Sequence, residues 1–90
     1  MAESNNSQKD VKYEILNNIG IISRTKGGWQ KELNILSWNG REPQYDLRSW
    51  SPDHTRMGKG ITLSEEELRE LYRVIGEELK VLDNLLSSEK

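Results

Sequence analysis

The chain has no cysteine and no phenylalanine, and only one histidine and two prolines in its 90 residues. Without cysteine there is no disulfide and no thiolate metal site, which fits a reducing, cytoplasmic setting. A single histidine without cysteine partners also lacks the donors of a zinc site. That residue, His54, stands in a Ser-Pro-Asp-His loop and reads as a solvated side chain. No apolar run approaches the ~18 residues of a membrane span, and the first residues lack an apolar signal core. No membrane partner is expected. The length allows one domain at most, and a chain this short buries only roughly 60–65% of its unfolded surface.

A net charge of −2, taken as a sum, argues against a polyanionic partner. Its distribution says more. Residues 1–60 hold nine Lys/Arg and seven Asp/Glu, whereas residues 61–90 hold four and eight. The acid collects in the last third, which leaves the rest free to be locally basic.

Residues 1–10, MAESNNSQKD, are polar and without periodicity, and read as a disordered tail ahead of one domain over 11–90. A first strand is predicted from about Ile15 or Asn18 to Arg24. Thr25 to Gly28 forms a turn, and WQKELNILSW, residues 29–38, a second strand. Asn39-Gly40 is a strong hairpin signal. QYDLRSW, residues 44–50, makes the third strand, and GKGITL, residues 58–63, the fourth. Ser64 and Glu67 have the spacing of a capping box. Leu68, Leu71, Tyr72, Ile75, Leu79, Leu82 and Leu86 then recur every three or four residues, the mark of one apolar stripe on a helix of roughly twenty residues. Gly76 interrupts that helix and is expected to pack closely against another backbone.

The fold class is therefore α+β, a four-stranded antiparallel sheet followed by one long C-terminal helix. A helix of that length outreaches short strands, so Leu79, Leu82, Leu85 and Leu86 are left over. A two-fold homodimer in which the helices take part would cover them.

Trp38 and Trp50 sit on strands rich in polar residues. Alternation puts Tyr45, Leu47 and Ser49 on one face of the third strand, read as core-facing. Gln44, Asp46, Arg48 and Trp50 fall on the other, read as open to water. If the second and third strands pair across Asn39-Gly40, Trp38 and Arg48 share that surface. Lys26, Lys31, Arg41 and Lys59 flank the same strands. Rings interleaved with cations suit single-stranded nucleic acid, whose bases stack for roughly 1–3 kcal/mol each while phosphates take the charges. No nucleophile–base pair is visible and Gly58-Lys59-Gly60 lacks the glycine spacing of a phosphate loop, so neither an enzyme nor a bound cofactor is expected.

Three stretches, KELNILSWNG (31–40), YDLRSW (45–50) and MGKGITLSEEE (57–67), resemble the single-stranded DNA-binding domain of the coactivator positive cofactor four and its small bacterial relatives of the YdbC type. With the helix, the likeness spans most of residues 18–86. It implies a strongly curved sheet, a dimer, and a groove for single-stranded DNA. It also implies stacking by Trp38 and Trp50 and DNA contacts from Arg48, Lys31 and Lys59, with Lys26 and Arg41 as weaker loop candidates. Two departures stand out. Trp50 follows Arg48 at one residue less than in the eukaryotic pattern, and Leu36 stands where eukaryotic members have arginine. The resulting expectation is a non-enzymatic, sequence-tolerant single-stranded DNA-binding protein in transcription, repair or replication. It would be nucleoid-associated when bound and open to transcription or repair proteins as partners. An RNA-binding variant of the same surface, or a protein adaptor using the acidic helix, are the rival readings.

Overall fold

The computed structural model describes residues 12–88. The tail expected over residues 1–10 lies outside the described residues. Four strands, β1 (Tyr13–Arg24), β2 (Gln30–Trp38), β3 (Gln44–Trp50) and β4 (Met57–Leu63), precede one helix, α1 (Glu65–Ser88). They form a single antiparallel sheet in the order β1-β2-β3-β4. The α+β architecture expected from the sequence is the one observed, with β1 starting earlier and the helix running longer. No described helix is long and apolar enough to cross a membrane.

Local chemistry accounts for the joints. Asn39 (φ 52°) and Gly40 (φ 75°) both take the left-handed conformation, and the Arg41 amide donates to the Trp38 carbonyl at 2.9 Å. Two successive positive φ values match the twist of the flanking strands, which is why Asn-Gly suits this turn. At the helix start the Ser64 amide donates to Glu67 Oε1 at 2.9 Å, and the Glu67 amide donates to Ser64 Oγ at 3.1 Å. That reciprocal pair satisfies two donors that a helix N-terminus otherwise leaves free.

The sheet is coiled, not flat. Register shifts interrupt β1 at Ile15/Asn17, Asn18/Gly20 and Ile21/Ser23, and β3–β4 between Arg48 and Trp50. Each extra residue bends its strand and sharpens the twist. Gln30, at one end of β2, pairs with Trp50, while Trp38 closes the other end. In a flat sheet the two indoles would stand about 26 Å apart at ~3.3 Å per residue. Yet the Tyr13 ring lies 6.0 Å from that of Trp38 and 5.2 Å from that of Trp50, so the ends of β2 have curled toward each other.

Coiling decides which face is sealed, and here the expectation is corrected. The face of Asp46, Arg48 and Trp50 is the concave one, and it is the buried one. Leu36 and Trp50 are its fully buried hydrophobic residues, and Glu32, Asn34 and Asp46 are buried beside them. Tyr45 and Leu47, expected in the core, are only half-buried and line an open groove of about 730 Å³ between the convex face and α1. Gly60 shows how tightly the concave layer is made. A Cβ there would lie 2.2 Å from Arg48 Cβ and 2.4 Å from the Leu47 carbonyl oxygen, so only glycine fits. Gly76 differs from expectation: a Cβ added there meets nothing within 4 Å. Within one chain, no backbone packs against it.

Candidate nucleic-acid interface

The buried polar residues of the concave face hold one another. Arg48 grips Asp46 with two bonds, Nε to Oδ1 at 2.7 Å and Nη2 to Oδ2 at 2.9 Å. The Arg48 side chain is 14% exposed and that of Asp46 is 0% exposed. Thr62 Oγ1 adds a donor to Asp46 at 3.3 Å. Deeper along β2, Glu32 accepts from Gln30 Nε2 at 2.8 Å and faces His54 Nε2 at 2.8 Å. Asn34 donates to Glu32 at 3.2 Å and accepts from Asn18 at 2.6 Å. Burial pushes the Glu32 carboxyl up. The bonds from Gln30, His54 and Asn34, with the charge of His54, outweigh that and hold it below the usual carboxylate range.

The aromatic rings form a continuous series. Trp38 contacts Tyr13, Tyr13 contacts Trp50, and Trp50 stacks on His54 with centroids 5.7 Å apart and planes at 25°. Tyr13 Oη donates to the His54 carbonyl at 2.9 Å, which ties the start of β1 to the β3–β4 loop. The guanidinium carbon of Arg48 lies 4.9 Å from the Trp38 ring centroid, within cation–π range.

Of the residues singled out from sequence, Trp38 and Arg48 come together here. Trp38 is half-buried, so part of its ring remains open. Arg41 is exposed in the turn directly after it, its carbonyl accepting from Ser37 Oγ at 2.7 Å. Trp50 shares the face but is 0% exposed, so in this conformation it offers no surface to a base. The short spacing after Arg48 keeps Trp50 in phase with it, and Arg48 faces inward. Lys31 pairs with Ser49, one residue out of phase with Glu32 and Arg48, and therefore follows the pleat to the opposite face. Lys59 is exposed on β4 beside Gly60, and Lys26 is exposed in the β1–β2 turn, at the far end of β2 from Trp38.

Tyr13 and His54 were missed as members of the site. His54 is half-buried and bonded, not solvated. Its φ of 61° marks a loop wound back onto the sheet. Tyr13 stands in a strand that opens in polar sequence and gives no periodic signal.

Comparison with known proteins places the chain in a family. Residues 25–74, more than half of the chain, match the family model described as Transcriptional Coactivator p15 (PC4). A protein of Treponema pallidum (strain Nichols), described only as uncharacterized, is 49% identical over 59 residues, which cover 66% of this chain and 69% of that protein. The matched segment runs from the β1–β2 turn into α1 and contains Trp38, Asp46, Arg48, Trp50 and His54, so the chain belongs to the Transcriptional Coactivator p15 (PC4) family.

Proposed function

We propose that this chain is a non-enzymatic, sequence-tolerant single-stranded DNA-binding protein, cytoplasmic and active in transcription or in DNA repair or replication. Family membership supports nucleic-acid binding in general. The observation that carries the finer reading is the Trp38–Arg48 pair, an indole half open to water and braced by a guanidinium whose own position is fixed by buried Asp46. A base stacks on the open part of Trp38. Arg48, with its charge countered by Asp46, orients that ring, and the exposed cations Arg41 and Lys59 take the phosphates. Stacking reads no base edge, so binding tolerates any sequence, and duplex DNA, whose base faces are covered, binds less well.

Anisotropy titration of labelled oligo-dT tests this. Trp38→Ala is expected to weaken binding roughly 5- to 150-fold, the equivalent of about 1–3 kcal/mol per stacked base. Wild-type affinity should fall with salt at a log–log slope of about −0.7 per neutralised phosphate. A flat salt response, or tighter binding to duplex, counts against the reading. A parallel titration with oligo-U separates DNA from RNA, because stacking alone does not sense the 2′-hydroxyl.

The working unit under this reading is a two-fold homodimer. Tyr72 is 81% exposed, and Ile75, Leu79, Leu82 and Leu86 extend the same stripe past the sheet, more apolar surface than a monomer usually leaves bare. Three of the seven acids of α1, by contrast, pair with arginines of the same helix, Glu65 with Arg69, and Glu70 and Glu77 with Arg73, which reduces the free charge of an acidic docking face. Leu79→Asp alters an exposed position of the chain itself, so its own fold should survive. Sedimentation equilibrium is expected to show the wild type at twice the chain mass and the variant at one.

A further inference from the structure

A second aromatic–cation pair lies outside the site described above. The guanidinium carbon of Arg56 sits 5.8 Å from the centroid of the Trp29 ring, where the β3–β4 loop meets the β1–β2 turn. Both backbones are pinned. The Trp29 carbonyl accepts from the Thr25 amide at 2.8 Å, and the Trp29 amide donates to Thr25 Oγ1 at 3.2 Å. Arg56 is held likewise: its carbonyl accepts from the Ser51 amide at 2.9 Å, and its amide donates to Ser51 Oγ at 2.9 Å. Gly28, at φ 90°, lets the turn close on the loop, since a Cβ there would lie 2.9 Å from Pro52 Cγ.

The electrostatics of this corner are one-sided. Arg24, Lys26 and Arg56 are exposed, and Arg56 has no carboxylate partner among the described residues. The one acid of the two loops, Asp53, turns to its own backbone and hydroxyls. Bonds from Thr55 Oγ1 at 2.7 Å, from the Thr55 amide at 3.1 Å and from Ser51 Oγ at 2.9 Å hold its carboxyl down at about 2. Trp29 is only half-buried, so ring surface remains open beside an uncommitted guanidinium. Arg56 stands in the same loop as His54, two residues after it, and His54 stacks on Trp50.

The geometry points to a second nucleotide subsite here, with Trp29 stacking a base and Arg56 taking the adjoining phosphate of the same single strand. This rests on the single-stranded nucleic-acid reading of the Trp38 surface and extends it. One strand is then read at two places, by Trp38 with Arg41 and by Trp29 with Arg56, while the rings of Tyr13 and Trp50 are structural.

Oligo-dT of about 16 nucleotides, at the upper end of site sizes for single-strand binders, provides the test on the full chain. Trp29→Ala is expected to weaken binding roughly 5- to 150-fold. Arg56→Gln, at an exposed side chain that leaves the fold intact, should flatten the log–log salt slope by about 0.7. In a Trp38→Phe background, the oligonucleotide should still quench indole fluorescence, and Trp29→Phe should remove that residual quench, because Trp50 is buried. If both Trp29→Ala and Arg56→Gln bind as the wild type does while Trp38→Ala binds weakly, the second subsite is overturned and the first stands. If the wild type binds no oligo-dT at all, both fall.

Discussion

Arg48→Ala is expected to destabilise the fold by about 3–5 kcal/mol, enough to unfold much of the protein before any DNA is added. The reason is Asp46. Its side chain is fully buried, and two of its three side-chain hydrogen bonds come from Arg48. Removing the guanidinium leaves a carboxylate with Thr62 alone, at 3.3 Å, in a place that water cannot reach. Breaking a buried ion pair from one side is far costlier than replacing both partners. Urea titration followed by far-UV circular dichroism measures the loss. The double variant Arg48→Met with Asp46→Leu should recover a large share of it, since no charge is then stranded. If Arg48→Ala proved as stable as wild type and failed only in binding, the guanidinium would be a DNA ligand and not a brace.

Trp50→Ala is expected to cost about as much, about 3–5 kcal/mol, the usual range for deleting a buried tryptophan. The ring packs between Tyr13 and His54, so its removal opens a void and unties the contact between β1 and the β3–β4 loop. Trp50→Phe should cost well under half as much. It keeps a ring in the stack and discards Nε1, a buried donor with no hydrogen-bond acceptor. Denaturant midpoints order the three proteins. In the folded fraction, Trp50→Phe should bind oligo-dT as the wild type does. A selective loss of binding with unchanged stability would return Trp50 to the role of a stacking platform. These two variants together mean that the proposed DNA contact is best probed at Trp38, a half-buried ring on which no buried charge depends.

The sequence made the order of elements legible because each carries a local signal. Asn39-Gly40 fixes a turn through two positive φ values, Ser64 and Glu67 cap the helix, and alternation puts Asp46, Arg48 and Trp50 on one face. It did not show which face is sealed. That outcome depends on three irregularities in β1, a strand whose polar composition hides both its start at Tyr13 and its bends. Once the sheet coils, residues far apart in the chain meet, Tyr13 with Trp50 and Glu32 with His54, and no spacing rule anticipates such pairs. Lys31 is set apart from Arg48 by the pleat alone, since it pairs with Ser49 and follows the alternation to the opposite face. Trp29 was not among the expected site residues for a related reason, since its partner Arg56 belongs to a loop that reaches it through the close approach of Gly28 and Pro52.

The concave layer is filled largely by hydrogen-bonded carboxylate, amide and guanidinium groups, with Leu36 and Trp50 the only fully sealed hydrophobic side chains among the described residues. Wetting polar groups lowers the heat capacity of a protein, whereas wetting hydrocarbon raises it. Melting of a single chain should therefore carry a small heat-capacity increment and a shallow dependence of stability on temperature. The hydrocarbon that gives most proteins their curvature lies here on α1 and the convex groove, so in a paired molecule that curvature belongs to the separation of two chains and shifts with dilution.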